Sequence, residues 1–520
     1  MNRISSTRIS RTVSIGQWLA PLAAGLALGT GAYPQRAQAA PQTTAPHGAP
    51  GAWQPNPALK YDQDYPFLRY SARPTHNAIA HLQDALARGT VKLQYRAPRG
   101  YLDSLLKALK ISPTSQTLVF SKTSLQIQLI SAHTPRAIYF NDDTYVAWIS
   151  GTQLIEINTM DSALGTVFYT LQENPEGPPR IKRAMFECLA CHDTFSMQGG
   201  GVPNFLFLSA YRIADGRVVT STVAQKTVDS TPMLDRWGGW YVTGRLGGML
   251  DLGNVMANSA DRPIPLASLS RADVPNLDRF FDTKPYLTDK SDVVALLVLE
   301  NQIDIHNLII HANYKSRMLL ERHTPGSSTR NLSWSELSPA MQRQFAGLLE
   351  PLVRGMLFVG AAPLPAPVEG NSGYAQWFQS LGPFDARGRS LRDLDLKSRL
   401  FKYPLSFLIY SKGFDYLIPS VRQYVYARLY QVLSGRDRRP AFASLTPRER
   451  RAILEILKAT KPAFAKVARE AARTGHTILA ARPGRAAHDA KATLRRSGPK
   501  ATSTMRVGAT TAHTRMSAKA

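Results

Sequence analysis

The sequence predicts an α+β protein in which a small antiparallel β region precedes a largely helical body. Short runs of alternating apolar and polar residues cluster between residues 117 and 171, and turn-forming residues such as Asn141-Asp142-Asp143 separate them. Longer stretches with helical periodicity fill the chain after residue 291. With 44% hydrophobic residues, the chain has the composition of a globular protein with a substantial core.

Two short helices are predicted ahead of the β region, over residues 76–86 and 102–109. The predicted strands cover residues 117–120, 125–130, 137–140, 145–149, 153–157 and 166–171. Further helices are predicted over residues 291–320, 399–433 and 447–473. The last of these begins with Thr446-Pro447-Arg448-Glu449, a capping box with proline at the first helical position.

Residues 1–39 have the features of a secretory signal peptide. Arg3, Arg8 and Arg11 form a basic segment, a short apolar stretch follows, and Ala37-Gln38-Ala39 resembles a cleavage site. The apolar stretch is too short and too interrupted for a permanent membrane-spanning helix, and none is expected in the mature chain. We therefore expect a protein exported to the periplasm, or otherwise secreted.

The composition predicts several segments after the signal peptide. They are a flexible leader at 40–59, a body at 60–360, a linker and C-terminal helical region at 361–473, and a basic disordered tail at 474–520. Of the formal net charge of +26, the signal peptide contributes +4 and the tail +8, which leaves +14 on the rest. Such a surface attracts acidic redox partners or an anionic membrane, although a solvated basic face explains it equally well. Nucleic acid is not an expected partner.

The stretch 186–204 contains both cysteines of the protein, Cys188 and Cys191, and His192 follows the second directly. A Cys-x-x-Cys-His run is the attachment signature of c-type haem, because two thiols on one turn can both bond the vinyl groups of a porphyrin while the next imidazole ligates the iron. A structural zinc site needs a second pair of ligands, which the cysteine content does not supply. A redox dithiol and a chance match stay open as alternatives. The sequence thus predicts one covalently attached haem c, held by Cys188, Cys191 and His192.

Residues 237–253 are rich in glycine and aromatic residues and begin with Trp237-Gly238-Gly239-Trp240-Tyr241. Glycine lets a flat ligand approach the backbone, and aromatic rings could border a porphyrin edge. A glycine-rich loop packed on the core is equally compatible with this composition.

Several stretches, over about residues 60–470, resemble an uncharacterised family of exported bacterial single-haem proteins with a c-type motif. The matching runs are VFSKTS (119–124), TPRAIYFNDD (134–143), VFYTL (167–171), ECLACH (187–192), RWGGWYVTG (236–244), VALLVLE (294–300), HN (306–307) and GRSLRD (388–393). The resemblance implies a haem-binding, electron-transfer class of function and brings no established reaction. The family commonly has histidines at three places where this chain has Asn204-Phe205, the segment 251–254 and Asn301, whereas His76, His192 and His306 remain.

Two functions are compatible with a single haem. An electron-transfer cytochrome would have six-coordinate iron, and we expect the second metal ligand to be His306, with Met233, Met249 or Met256 as alternatives. A haem-dependent oxidoreductase of peroxidase type would keep the sixth position open, and the large body is compatible with it. No catalytic residue is assigned, because the sequence shows no convincing acid–base constellation. The sequence favours electron transfer over catalysis.

Overall fold

The computed structural model describes residues 64–122, 124–193, 201–209, 225–256, 269, 273–326 and 331–474. The predicted signal peptide and leader lie outside the described residues, as does the predicted tail after residue 474. The described residues form a mixed α+β structure with an antiparallel sheet, as the sequence predicts.

The strands in the described part of the chain form two antiparallel sheets. They are β1 (Thr117–Val119), β2 (Arg136–Phe140), β3 (Thr144–Trp148), β4 (Leu154–Asp161), β5 (Gly165–Gln172), β6 (Arg180–Ala184), β7 (Leu208–Ser209), β8 (Gln225–Lys226) and β9 (Trp240–Tyr241). One sheet has the order β6-β5-β4-β3-β2-β1-β9, and β7 pairs with β8. Strands β1 to β6 are therefore a meander, in which short connections suffice to join antiparallel neighbours.

The described helices lie on both sides of the sheet and fill the C-terminal half. They are α1 (Ala78–Ala87), α2 (Leu102–Leu109), α3 (Phe186–His192), α4 (Val293–His323), α5 (Pro339–Met356), α6 (Tyr374–Ser380), α7 (Lys412–Tyr416), α8 (Pro419–Leu433), α9 (Pro447–Thr460) and α10 (Pro462–Thr474). Helix α2 spans the residues predicted for it, and the capping box at Thr446 is present at the start of α9.

Both faces of the sheet are buried. The cross-strand pair Tyr139 and Val146 packs in the core that also contains the apolar side chains of α1 and α2. The next pair along, Phe140 and Tyr145, packs in the larger core formed with α4 and the C-terminal helices. Because neighbouring residues of a strand point to opposite faces, this alternation assigns one core to each face. Leu364, in the predicted linker 361–370, is buried in the larger core.

Helix α4 runs through the centre of the larger core. Leu299, Ile303, His306 and Ile310, which the sequence places on one face, are all buried. A second face of α4, which carries Glu300 and Asn307, is also buried. The side opposite the apolar residues is half-buried at Leu308 and exposed at Lys315, so the helix has the apolar face that the sequence predicts, although its first turns are buried all round. Buried polar side chains on that second face bond to the segment 205–236 in place of water.

By its length and composition, α4 could also cross a bilayer. No other helix in the described ranges is long and apolar enough to do so. In its most apolar window, 89% of the residues are buried inside the protein. Core helices of soluble proteins meet the same criterion, so it gives only weak support for a membrane span.

Four predictions of local structure are corrected. Residues 125–130 form turns and not a strand, because the segment is attached to β4 by bonds to the Glu156 carboxylate rather than by a ladder. The short strands β6, β7, β8 and β9 were not predicted. The helix predicted from residue 399 begins only at Pro419, after short turns that Ser406 and Ser411 cap. The helix predicted over 447–473 is divided at Pro462, whose missing N–H cannot continue α9.

Candidate haem site

Helix α3 carries the three residues of the Cys-x-x-Cys-His run. Cys188 and Cys191 are three residues apart and His192 follows, so all three lie close together on one turn. The two cysteines are thiols and are not joined in a disulfide; Cys188 is half-buried and Cys191 is exposed. Strand β6 ends at Ala184, and its pairing with β5 fixes where this helix begins.

The His192 side chain is held in one orientation by the loop that follows α3. Its Nδ1 lies 2.7 Å from the backbone oxygen of Asn204, and the backbone N–H of Asn204 donates to the carbonyl of His192 at 2.8 Å. A carbonyl only accepts, so Nδ1 must carry the proton, and the neutral ring keeps a lone pair on Nε2. Burial lowers the pKa of His192 to about 4, which keeps the ring neutral at pH 7. An imidazole that donates from one nitrogen to a carbonyl and presents the other is the usual arrangement of a metal-ligating histidine.

The loop behind His192 is in turn attached to α4. The Asn307 side chain accepts from the backbone N–H of Phe205 at 2.9 Å and donates to its carbonyl at 3.0 Å. The Phe205 ring packs against Tyr145 and His306, with ring centroids 4.9 and 5.4 Å apart. Helix α4 therefore helps to position His192, because it binds the backbone of Phe205, and Phe205 is next to the residue that His192 bonds.

The surroundings of the thiols suit an apolar cofactor. The Phe186 side chain at the start of α3 is 63% exposed, and Leu125, Ile127 and Leu129 are exposed in the turn that is bonded to Glu156. Burial raises the pKa of Cys188 and the charge of Glu156 raises it further, so the carboxylate to which that turn is bonded is close enough to act on the thiol. Exposed apolar side chains of this kind mark a surface that another group covers.

The thiol chemistry is unlike that of a redox dithiol. Burial raises the pKa of Cys188 to about 12, with further contributions from the charges of Glu156 and Glu187. A catalytic dithiol needs a lowered pKa at its attacking cysteine. The donor set, the orientation of His192 and the exposed apolar side chains fit a covalently attached haem better than the dithiol alternative.

His306 is fully buried, and its Nδ1 lies 3.0 Å from the Tyr145 hydroxyl. Its Nε2 is buried without a hydrogen-bond partner, which leaves that nitrogen available to a metal. Phe205 and Asn307, however, place this part of α4 on the Nδ1 side of His192, whereas Nε2, the nitrogen that would bind the iron, is on the other side of the ring. His306 as second ligand therefore stays a prediction, and its contacts favour a packing role.

The other sequence candidates are distributed over both cores. Met233 and Met249 are buried in the larger core with α4. Met256 is half-buried against the smaller core, which Cys188 also contacts. His76 is exposed, and its backbone N–H donates to Asp161 at 2.6 Å. Of the three methionines, Met256 has the surroundings closest to those of the thiols.

The glycine- and aromatic-rich segment packs on the core, as the second of its two interpretations expects. Trp237, Trp240 and Tyr241 are buried, and Trp240 stacks on Phe207 with ring centroids 4.2 Å apart. Gly244 has φ +122°, and a Cβ added there would lie 2.5 Å from the backbone oxygen of Glu369. Gly244 is needed because the backbone of Glu369 lies against it, so this glycine gives no support for a porphyrin at this segment.

A buried carboxylate cluster on the second face of α4 is the feature that the sequence did not predict. Arg236 Nη1 lies 2.7 Å from Glu300 Oε2, and both side chains are almost fully buried. Asn301 donates to Asp229 Oδ2 at 2.7 Å. Burial raises the pKa of Glu300, of Asp229 and of Asp251 to about 7 in each case. The cluster therefore holds carboxyl groups that exchange protons near neutral pH.

This cluster adjoins a cavity and the haem motif. Asp229 and Arg236 line a cavity of about 290 Å³ whose other walls are mainly apolar. Asn301 binds the cluster, and Asn307 on the same helix binds the loop behind His192. These two residues are six positions apart, which corresponds to about 9 Å along a helix. In the sequence, Glu300, Asp304 and Asn307 have the spacing of residues that share one helical face, which was a signal for this site. Without the fold, a polar helix face of this kind is interpreted as exposed to solvent.

No group of three or more His, Cys, Asp or Glu side chains in the described ranges has the geometry to hold a metal ion by itself. Haem iron does not need such a group, since the porphyrin supplies four of its ligands. Comparisons with protein-family models, with curated proteins and with solved structures find no match to this chain.

Proposed function

We propose that this protein is an exported c-type cytochrome that carries one covalent haem c and transfers electrons. The observation that carries the proposal is the orientation of His192: its Nδ1 donates to Asn204 and its Nε2 is left for the iron, on the same short helix as two cysteine thiols. The sequence runs that resemble exported single-haem proteins favour the same class.

Cys188, Cys191 and His192 on α3 have defined roles in this proposal. Cys188 and Cys191 hold the group through thioether bonds, and His192 ligates it with a nitrogen whose orientation the Asn204 carbonyl fixes. The haem would supply one-electron redox chemistry. The exposed apolar side chains of Phe186 and the turn 125–129 exclude water from its edge, and the Arg136 cation, paired with Glu156, offers a positive charge close to His192.

Export and partners belong to the same proposal. A signal peptide at residues 1–39 would deliver the chain to the periplasm, where haem attachment takes place. The basic body suits docking of acidic redox proteins and peripheral contact with an anionic membrane. These partners would meet the protein through its charge, and we propose no nucleic-acid partner.

The test is covalent haem staining on a denaturing gel after expression with haem-maturation machinery. Wild type should stain, and Cys188→Ala with Cys191→Ala should not. Ala190→Ser is a matched control, because Ala190 is exposed between the two cysteines and carries no bonding role in the proposal. An unstained wild type would overturn the proposal.

A haem-dependent oxidoreductase is the second candidate, and the carboxylate cluster favours it. Glu300 and Asp229 have raised pKa values and adjoin a cavity, which is the arrangement of groups that donate or accept protons in catalysis. The absorption spectrum of the purified protein separates the two candidates. Six-coordinate low-spin iron supports electron transfer, and five-coordinate high-spin iron supports the oxidoreductase.

A further inference from the structure

A second cavity, of about 340 Å³, lies away from the haem motif and is lined by arginines. Arg73 precedes α1, Arg317 is on α4 and Arg422 is on α8, so three separate parts of the chain bring guanidinium groups to one place. The volume is at the lower end of the range for small-molecule sites.

Basic side chains outnumber acidic ones in the lining of this cavity. Of the described residues that line it, three are arginines and one, Asp415, is acidic. Both carboxylate oxygens of Asp415 are bonded by Lys461 Nζ, at 2.7 and 2.9 Å, and its backbone carbonyl accepts from Arg422. Lys461 thus adds a further basic group beside the one acidic side chain of the lining.

Two further features add to the positive potential. Pro419, the first residue of α8, also lines the cavity, so the positive end of the dipole of a 15-residue helix is directed at it. Arg317 is only 7% exposed, and its Nε donates to Asn313 at 2.9 Å. Burial lowers the pKa of Arg317, and the nearby charge of Arg73 lowers it further, so the two guanidinium groups lie close enough to interact.

Like charges that face one another in a partly buried cavity are stabilised by an anion. Guanidinium groups bind carboxylate and phosphate oxygens with two parallel hydrogen bonds, which ammonium groups cannot do. The apolar walls, Phe67 and Leu68 among them, would contact the carbon skeleton of such a ligand.

We propose that the cavity between Arg73, Arg317 and Arg422 is a binding site for a small molecule that carries a carboxylate or phosphate group. The site is independent of the haem proposal, since it uses none of the residues around α3. Arg317 forms its floor, and Arg73 and Arg422, which are half-buried, form its rim.

Isothermal titration of the full-length protein with inorganic phosphate and with succinate, at constant ionic strength, tests the proposal. Wild type should bind at least one of the two, and the anion that binds identifies the group. Arg73→Gln and Arg422→Gln should each weaken binding about tenfold or more, the effect of losing one charged hydrogen bond. Both are rim residues, so their loss should leave the core intact.

Arg343→Gln is the control, because Arg343 is an exposed arginine on α5 and its loss changes the net charge equally. It should leave the affinity unchanged. Absence of binding of both anions to wild type would overturn the proposal, as would an equal loss of affinity in the control.

Discussion

At the scale of single residues, His192 and His306 show how two buried histidines differ in what they can do. Each has one ring nitrogen bonded inside the protein. The partner of His192 is a carbonyl on a loop, which leaves Nε2 directed away from that loop, whereas the partner of His306 is a tyrosine inside the core. The first arrangement suits a ligand and the second suits a packing residue.

Replacing His306 by Gln should leave a low-spin haem spectrum unchanged, because α4 lies on the Nδ1 side of His192. The lost bond to Tyr145 should lower the free energy of unfolding by about 1–2 kcal/mol. Absorption spectra of the oxidised and reduced forms and a thermal melt measure the two effects. His311→Gln, a half-buried histidine on the same helix, is the control. Conversion to high-spin iron in His306→Gln alone would instead assign His306 as the second ligand.

Replacing Glu300 by Gln should change the pH dependence of stability. Burial raises the pKa of Glu300 from 4.5 to about 7, so the folded state binds more protons than the unfolded state between those values. The contribution of Glu300 is therefore most favourable at low pH and is lost as the pH rises to 7. Glu300→Gln should gain stability relative to wild type from pH 5 to pH 8, on the order of 1–3 kcal/mol.

Denaturant unfolding at several pH values between 5 and 8 measures this difference. Glu176→Gln is the control, since Glu176 is exposed and far from Arg236, Asp229 and Asp251, the charged groups around Glu300. A constant difference between Glu300→Gln and wild type over this range would show that Glu300 is ionised throughout, held by Arg236.

At the scale of elements, α4 connects the sites on its two faces. The same helix positions the loop behind His192 through Asn307 and binds the carboxylate cluster through Glu300 and Asn301. A helix of 31 residues provides a rigid reference for both, which short strands and loops do not.

Replacing Asn307 by Ala should release the loop behind His192. Two buried backbone groups of Phe205 would lose their partners, at a cost of about 1–3 kcal/mol each. The haem reduction potential should shift as well, because the orientation of His192 depends on Asn204 next to it. Asn313→Ala, on the same helix, should lower stability without changing the potential. Equal potentials in the two variants would show that Asn307 acts only on stability.

The sequence predicted elements where local signals agree with the tertiary packing. Helix α2 and the start of α9 have regular apolar spacing or a capping box, and both were predicted closely. The segment 125–130 has the alternation of a strand, yet Leu125, Ile127 and Leu129 are exposed in turns. Its state depends on bonds to the Glu156 side chain, 31 residues away from Leu125, which periodicity does not report.

Some features of the candidate site were likewise predictable from the sequence, and others were not. The residues of the Cys-x-x-Cys-His run are contiguous, so their chemistry was predictable from spacing alone. The contacts of Asn204 with His192 and the pairing of Arg236 with Glu300 join residues 12 and 64 positions apart. Only the fold reveals such pairs, and a polar helix face in sequence is normally a solvated one.

At the scale of the whole molecule, the described residues account for the fold without the predicted tail. Helix α10 packs against α8 and α9, and its Phe464 and Ala468 are buried. The predicted tail after it contains few large apolar residues and much basic charge.

Truncation after Thr474 should therefore leave the thermal midpoint and the haem content unchanged, because it removes no described helix. Truncation after Lys461, which deletes α10 with its buried side chains, should lower the midpoint markedly. A drop of more than a few degrees in the first variant would show that the tail packs on the body.

The central claim is that one haem is bonded covalently to α3. Mass spectrometry of the matured protein, followed by analysis of the peptide that contains residues 188–192, tests it most directly. We expect this peptide to carry the mass of one haem and to have no free thiol, and we expect Cys188→Ala with Cys191→Ala to remove the added mass. A peptide of unmodified mass with two free thiols, from protein matured with haem-attachment machinery, would show that no haem is attached to α3.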